Sequence, residues 1–324
     1  MTKLDLRVRL LGRALGLTSV ATMDAARLAR VQGRSPGHNP LTDLLLGGVA
    51  PGVELADDVA AGAAGPLTVR VHRPAGAAGK ALPLVVNFHG GGWVVGSLDQ
   101  SDWLCSNVAA TAGAVVVSVE YRLAPLHRWP AAAEDCYAAL VDVVARAGEW
   151  GADPQRVAVM GDSAGGNLAA VVTLMARDRS GPGLAFQALL YPATDLTFGS
   201  PSIEENASAP ILTRADMVAY RDHYLGDRDR RHPYVSPLLA PDHSGLPPAL
   251  VQVAEHDPIR DDGLRYAAAL EAAGVRVRTT TYVGMPHGYL AFPKLCRSAP
   301  QALAELCSEL RGALVGATEA EGAA

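Results

Sequence analysis

The sequence predicts an α/β fold in which a mostly parallel central sheet is flanked by helices. The first indication is that, from Leu82 onward, short apolar runs alternate with segments of helical character. The second is that these runs are rich in β-branched residues, which is typical of strands buried on both faces. The third is the length of 324 residues, which suits one large α/β domain with additions or two ordinary domains.

The chain begins with a region that predicts amphipathic helices, over about residues 1–50. Leu4, Leu11 and Leu15 recur at roughly helical spacing, with arginines between them. The segment Gly33–Pro40 should end this region, because Ser-Pro-Gly and Asn-Pro do not continue a helix. The pattern then changes to that of strands.

Eight segments are predicted as strands, and the first two of them precede the regular alternation. We expect these two to extend the sheet in an antiparallel sense and the other six to alternate with helices. The strands are Val53–Val59, Leu67–His72, Leu84–Phe88, Val115–Val119, Val157–Met160, Ala185–Tyr191, Leu250–Ala254 and Val275–Tyr282, and the helices lie at about 99–112, 131–147, 164–178 and 259–273.

One segment, at about 195–240, breaks the alternation, because it is too long for an ordinary connection and contains no predicted strand. Thr213–Asp216 is similar to a capping box at the start of a helix. In that helix Met217, Tyr220 and Tyr224 follow at spacings i, i+3 and i+7, which gives one apolar face. An insertion at the carboxyl ends of parallel strands is where a lid would lie.

Composition excludes several classes of function. Lys and Arg number 28 against 33 Asp and Glu, so the formal net charge is −5. No basic run is long enough to indicate a nucleic-acid or membrane-surface patch. Aromatic residues make up 5% of the chain, which is few for base-stacking platforms. No apolar run reaches about 18 residues, so a transmembrane helix is not expected.

The cysteines and the N-terminus favour the cytoplasm. The four cysteines lie far apart without a CxxC pattern, so we expect buried free thiols rather than disulfides or a zinc site. Arg7, Arg9 and Arg13 interrupt the apolar stretches near the N-terminus, so we do not expect the core of a signal peptide there. We therefore expect a soluble protein in a reducing compartment. The cysteines are Cys105, Cys136, Cys296 and Cys307.

The segment Gly161–Gly165 reads Gly-Asp-Ser-Ala-Gly and indicates a nucleophile. It follows the strand Val157–Met160 and precedes a helix, which is the setting of a nucleophile elbow. Glycines relieve crowding at such a sharp turn. Ser163 would project above the sheet at the positive end of the helix, where negative charge is stabilised.

The segment His89–Trp93 reads His-Gly-Gly-Gly-Trp, follows the third predicted strand and matches the glycine loop that supplies oxyanion donors in lipases and esterases. A tetrahedral intermediate carries charge on one oxygen, and preorganised N–H groups stabilise that charge. We assign this role to Gly91 and Gly92 with the N–H of Ala164, while Gly90 stays an alternative. A phosphate loop is excluded, because neither GxGxxG nor GK[ST] is present.

A serine nucleophile needs a base, and the base needs an orienting acid. Of the nine histidines, His287 lies in a loop after the last predicted strand, which gives the chain order Ser…Asp…His, and His256 is the rival. Asp257 comes directly after the seventh strand and is the preferred acid. We expect Asp261 and Asp262, about a turn later, to be caps or solvated charges.

Together these motifs resemble those of the hormone-sensitive-lipase-like family of α/β-hydrolase esterases, from about Leu82 to Tyr289. One departure is Leu126, where the family often has Glu after Ala-Pro, and this puts local stability rather than catalysis in doubt. In chain order, the motifs are His89–Trp93, Tyr121–Pro125, Trp129–Ala132, Glu134-Asp135, Gly161–Asn167, Asp257–Asp261 and His287-Gly288.

The resemblance implies an α/β-hydrolase fold with a helical cap, so the two-domain alternative can be dropped. Residues 1–50 and about 195–240 would form the cap, and the rest of 51–324 would form the catalytic domain. The implied catalytic triad is Ser163, Asp257 and His287, and the implied oxyanion hole is Gly91, Gly92 and Ala164.

We therefore expect a serine carboxylesterase that acts on small ester molecules without a cofactor or a metal. Trp93, Met217 and Tyr220, with Tyr224, would line an apolar pocket that favours short- to medium-chain acyl groups. An amidase, a lactonase or an acyltransferase would use the same triad. A non-catalytic small-molecule receptor is a further alternative, although such a receptor should have lost a triad residue. An exposed edge strand would allow a homodimer.

Overall fold

A single sheet of eight strands organises the described part of the chain. The computed structural model describes residues 4, 6–16, 19–32, 37–77 and 79–321. Its strands are β1 (Val53–Gly62), β2 (Gly65–Pro74), β3 (Leu82–Phe88), β4 (Val115–Val119), β5 (Ala152–Asp162), β6 (Phe186–Leu190), β7 (Ala249–His256) and β8 (Val277–Pro286). They lie in the order β1-β2-β4-β3-β5-β6-β7-β8. The pairs β1–β2 and β2–β4 are antiparallel and the other pairs are parallel, which confirms the predicted sheet.

Helices cover both faces of this sheet. They are α1 (Leu6–Gly16), α2 (Ala25–Gln32), α3 (Pro40–Leu46), α4 (Leu98–Val108), α5 (Ala131–Ala145), α6 (Ala164–Asp178), α7 (Ser202–Glu205), α8 (Arg214–Leu225), α9 (Arg260–Ala272) and α10 (Ala299–Glu321). The hydrophobic core is accordingly divided into two main clusters. Leu84 and Val86 of β3 pack with α5, α6 and α9, whereas Val85 packs with α4 and α10. Alternate residues of a strand thus serve opposite faces.

The C-terminal helix α10 is a feature that the predicted helices do not include. Its buried residues Ala302, Leu306, Leu310 and Leu314 recur at spacings of four, which is a helical pattern. This face packs against the sheet residues of the second cluster. The signal was therefore present in the sequence, and α10 supplies much of the covering for one face.

Most of the described residues in the N-terminal region are helical, as predicted, and this region contacts the insertion. The predicted break at Gly33–Pro40 lies partly outside the described residues, and α3 begins at Pro40, a position in the first helical turn that proline favours. The capping box of α8 is confirmed, since the Thr213 hydroxyl accepts from the Asp216 N–H at 3.1 Å and the Asp216 carboxylate accepts from the Thr213 N–H at 3.3 Å. The Ser19 hydroxyl also donates to Asp216, which joins the two separated stretches.

None of the helices in these ranges is long and apolar enough to cross a bilayer.

Candidate active site

Ser163 lies at the turn between β5 and α6, with a positive φ of 55°. The turn is tight enough that its glycines cannot be replaced without a clash. A Cβ on Gly161 would lie 2.2 Å from the carbonyl oxygen of Gly165, and one on Gly165 would lie 1.9 Å from the carbonyl oxygen of Phe88. The Ser163 N–H donates to the Leu190 carbonyl of β6 at 2.8 Å, which anchors the turn to the sheet. The sequence therefore holds this serine in a strained but fixed position.

The structure brings Ser163, His287 and Asp257 into one hydrogen-bonded chain. Asp257 follows β7 and His287 follows the neighbouring parallel strand β8, so both lie at the same edge of the sheet as Ser163. His287 Nε2 lies 2.8 Å from Ser163 Oγ, and His287 Nδ1 lies 2.7 Å from Asp257 Oδ2. Because a carboxylate can only accept, Nδ1 carries the proton and Nε2 is left to accept from the serine hydroxyl.

Asp257 is held as well as buried. Its second oxygen, Oδ1, accepts from the Ile259 N–H at 2.9 Å, and the residue has no solvent exposure. His287 is also buried, at 6% exposure, while Ser163 is partly exposed. The carboxylate is therefore shielded from water, and the serine lies at the open end of the chain.

The glycine loop (residues 89–96) has two N–H groups whose direction is fixed by hydrogen bonds to the carbonyls of their peptide units. The Gly90 carbonyl lies 2.8 Å from His89 Nδ1, and the Gly91 carbonyl accepts from the N–H groups of Val94 and Val95 at 3.1 and 2.9 Å. In a trans peptide the N–H points away from the preceding carbonyl. The N–H groups of Gly91 and Gly92 therefore face away from those partners.

Two of the glycines in this loop have no space for a side chain. A Cβ on Gly91 would lie 2.0 Å from the Val95 carbonyl oxygen, and one on Gly92 would lie 2.2 Å from the Tyr220 ring. Their φ angles are 120° and 61°, in the region that favours glycine. The N–H of Ala164, the first residue of α6, has no intrahelical partner. Gly91, Gly92 and Ala164 all line the same cavity as Ser163.

The Gly90 N–H is already engaged, which removes it as an oxyanion donor. It donates to Asp162 Oδ1 at 2.8 Å. Burial raises the pKa of Asp162 to about 6. The Asp162 carboxyl thus fastens the glycine loop to the end of β5, a contact between residues 72 positions apart that the sequence did not predict.

His89 is part of the scaffold and not a base. Its ring stacks on Tyr121 with centroids 4.2 Å apart, and the Tyr121 hydroxyl donates to the His89 carbonyl at 2.7 Å. Complete burial lowers the pKa of His89 to about 4, so the ring is neutral at ordinary pH. Since a neutral imidazole faces the Gly90 carbonyl with Nδ1, that nitrogen is the donor.

A cavity of about 380 Å³ opens above Ser163 between the sheet edge, the insertion and the N-terminal helices. Trp93, Met217 and Tyr220, which the sequence analysis assigned to an apolar pocket, line this cavity. Tyr224 does not, because its ring stacks on the rear of Trp93 with centroids 4.5 Å apart and is fully buried there. Lining residues that the sequence did not single out include Gly12, Val20, Leu46, Leu196, Phe198, Ile211, Leu212, Ile259 and Phe292.

The rival residues lie elsewhere or have other partners. His256 is buried, with its Nε2 3.9 Å from Glu255, and takes no part in the chain at Ser163. Asp261 accepts from the Ser202 N–H at 3.0 Å and so caps α7. The expectation of a solvated charge is wrong for Asp262, which is 1% exposed and accepts from the Ser200 hydroxyl at 2.7 Å. Burial raises the pKa of Asp262 to about 8.

Among the residues that the structure describes, no group of three or more His, Cys, Asp or Glu side chains could hold a metal ion.

The chain is similar to esterases along most of its length. A family model described as alpha/beta hydrolase fold matches residues 85–291, more than half of the chain. Carboxylesterase NlhH of Mycobacterium tuberculosis is 48% identical over 237 residues, which cover 72% of this chain and 74% of the relative. Ethyl acetate hydrolase of Pseudomonas putida is 38% identical over 251 residues, which cover 76% of this chain and 78% of that enzyme.

A solved structure agrees with these sequence matches. The hyperthermophilic esterase from the archaeon Pyrobaculum calidifontis superposes with a TM-score of 0.83 at 36% identity, covering 96% of this chain and 99% of that one. The sheet order, the glycine motifs and these matches all indicate an α/β-hydrolase fold. The chain belongs to the hormone-sensitive-lipase-like family of α/β hydrolases.

Proposed function

We propose that this protein is a serine carboxylesterase that hydrolyses short- to medium-chain carboxylic esters through an acyl-enzyme on Ser163. The observation that carries the proposal is the hydrogen-bonded chain from Asp257 through His287 to Ser163, which ends in a cavity that Gly91 and Gly92 also line. A nucleophile, a base and oxyanion donors thus converge on one space, which is what acyl transfer requires.

In the acylation step, Ser163 Oγ attacks the ester carbonyl carbon while its proton passes to His287 Nε2. The bond from Oγ to carbon forms, and the carbonyl electron pair moves to oxygen, where the N–H groups of Gly91, Gly92 and Ala164 stabilise it. The tetrahedral intermediate collapses, the bond from carbon to the alkoxy oxygen breaks, and His287 returns the proton to the leaving alcohol. Asp257 holds the imidazole and stabilises its cationic form.

In the deacylation step, water takes the place of the alcohol. His287 Nε2 removes a proton from water, whose oxygen attacks the acyl carbon, and the same N–H groups stabilise the second oxyanion. Collapse breaks the bond between Ser163 Oγ and carbon, and His287 protonates the serine. The products are a carboxylic acid and regenerated enzyme.

The preference for short to medium acyl chains is supported by the size and lining of the cavity. About 380 Å³ is at the small end of the range of roughly 300–1,000 Å³ for small-molecule pockets. Phe198, Leu212, Met217 and Ile259 contribute apolar walls. A cap drawn from residues 1–50 and about 195–240 would form this enclosure, and the contact of Ser19 with Asp216 supports the joint assembly of its two parts.

Hydrolysis of matched nitrophenyl esters from two to sixteen acyl carbons tests the proposal. We expect kcat/KM to be highest for short or medium chains and to fall for the longest. Equal or better turnover of the longest esters would overturn the chain-length preference. A matched amide and a lactone, assayed beside the best ester, should be poorer substrates, and faster turnover of either would favour an amidase or a lactonase.

We propose further that the protein is cytoplasmic and able to form a homodimer. The location is supported by the four cysteines, which are buried and form no disulfide, as in reducing compartments. The homodimer is supported by β8 at the edge of the sheet, where Val283 is 60% exposed. Cell fractionation and light scattering test these two proposals. They fail if the protein is secreted, or if it is monomeric at micromolar concentration.

A further inference from the structure

We propose that Gln32, in the N-terminal helix α2, is a positioning residue that keeps the glycine loop in its oxyanion-binding shape. The inference rests on the proposed function and assigns a role in catalysis to a residue far from the triad in the sequence. Gln32 is the last residue of α2 and does not line the cavity. It therefore acts on the reaction only through the loop.

The Gln32 side-chain amide bridges two segments of the catalytic domain. Its Nε2 donates to the carbonyl of Val94, in the glycine loop, at 2.6 Å and to the carbonyl of Ala124 at 2.7 Å. An amide nitrogen has two hydrogens, so both donors are used. The same two segments are joined by the Ala124 N–H, which donates to the Trp93 carbonyl at 2.9 Å. Gln32 thus completes a set of three hydrogen bonds around one turn of the loop.

The held segment is the one that directs the oxyanion donors. The Val94 carbonyl that Gln32 holds belongs to the same peptide unit as the Val95 N–H, which donates to the Gly91 carbonyl at 2.9 Å. That Gly91 carbonyl in turn shares its peptide unit with the Gly92 N–H. A rotation of the peptide between Val94 and Val95 would therefore change the direction of the Gly92 N–H.

The loop conformation also needs support from outside. Gly91, Gly92 and Trp93 all have positive φ angles, of 120°, 61° and 61°. For a bulky residue such as Trp93 this is a strained region, and it persists only where the surroundings determine it. The stacking of Trp93 on Tyr224 supplies one constraint, and Gln32 supplies another from the N-terminal region.

Helix α2 is suited to hold this amide in place. Leu28, one turn before Gln32, is 2% exposed and belongs to the main hydrophobic cluster. A buried anchor four residues away lies on the same side of the helix. The anchored helix end therefore offers the amide at a fixed position.

The test compares Gln32→Met, which keeps the length of the side chain and removes both donors, with Arg30→Ala. Arg30 is exposed on the same helix, and its Nε donates to Ala26 within that helix, so its loss perturbs α2 without touching the loop. We measure kcat and KM, the melting temperature, and the Ki of a trifluoromethyl ketone. Such a ketone forms a tetrahedral adduct with serine whose oxyanion occupies the same hole.

We expect Gln32→Met to lower kcat about 10- to 100-fold, since small misplacements of catalytic groups cost up to about 100-fold. KM should stay within about threefold, and the Ki of the ketone should rise by the same factor by which kcat/KM falls. Arg30→Ala should match the wild type in kcat, in KM and in the Ki of the ketone.

The inference is overturned if Gln32→Met keeps kcat within about threefold, if kcat falls without a rise in the Ki, or if Arg30→Ala loses as much. A melting temperature that falls in proportion to activity would also overturn it. If the wild type is active and Gln32→Met is unaffected, this inference fails while the proposed function stands. A wild type that neither hydrolyses esters nor binds the ketone sinks the proposed function as well.

Discussion

The contact between Gly92 and Tyr220 gives a perturbation whose size can be worked out from the structure. A Cβ added at Gly92 would lie 2.2 Å from Tyr220 Cδ1, whereas carbon atoms in ordinary contact are about 3.5–4.0 Å apart. Gly92→Ala must therefore displace the loop or the ring by more than about 1 Å. The positive φ of 61° adds strain of about 1–2 kcal/mol for a residue with a side chain.

We expect Gly92→Ala to lower kcat/KM for a short nitrophenyl ester about 100-fold. The estimate follows because removing one oxyanion donor costs about 10²- to 10³-fold, and a displacement near 1 Å costs about 10²-fold. Part of the loss should disappear in the background of Tyr220→Ala, since that variant removes the ring that the new methyl group meets. Gly148→Ala is the matched control, because a Cβ there meets nothing within 4 Å and its φ is not positive.

The assay is a double-mutant cycle on kcat/KM with Gly92→Ala, Tyr220→Ala and both together. A coupling of at least about threefold between the two changes supports the steric argument. The reasoning is refuted if Gly92→Ala stays within about threefold of the wild type. It is refuted equally if Gly148→Ala, at its open position, loses as much activity.

Two further predictions concern the carboxylates of the site. Burial raises the pKa of Asp162 to about 6, so the folded protein binds more protons than the unfolded chain between about pH 4 and 6, and this residue makes stability fall as pH rises through that interval. Asp162→Asn should therefore gain about 2 kcal/mol relative to the wild type between pH 4.5 and 7.5, measured by urea unfolding. Asp257→Asn should lower kcat about 10⁴-fold with little change in KM, because an amide facing His287 Nδ1 favours the wrong tautomer.

Each of these has a clear opposing result. A stability difference for Asp162→Asn that is the same at both pH values would show that the carboxyl does not titrate between them. A kcat for Asp257→Asn within tenfold of the wild type would show that His287 does not depend on that carboxylate for its tautomer.

Much of the site could be predicted from the sequence because its signals are local. Ser163, Asp257 and His287 each follow a recognisable strand, and parallel strands present their carboxyl ends at one edge. The glycine loop can be recognised in the sequence from its three consecutive glycines. The structure therefore had to supply the distances among these residues and not their identity.

What could not be predicted depends on contacts between distant segments. Asp262 is predicted to be a cap or a solvated charge, yet Ser200 and the Asp195 N–H, from the insertion, make its burial tolerable. Tyr224 shares a helix face with Met217, but the position of Trp93 decides that it lies behind the cavity wall. The helix α10 is a different case, because its apolar residues recur at spacings of four and the sequence alone could have predicted it.

The central claim is tested most directly by identifying the acylated residue. Rapid quenching of the enzyme with a nitrophenyl acetate, followed by mass spectrometry of its peptides, should find one acetyl group, on Ser163. Ser163→Ala should carry no label and should lose about 10⁴- to 10⁶-fold in kcat. An acetyl group on another residue, or near-normal hydrolysis by Ser163→Ala, would contradict the account.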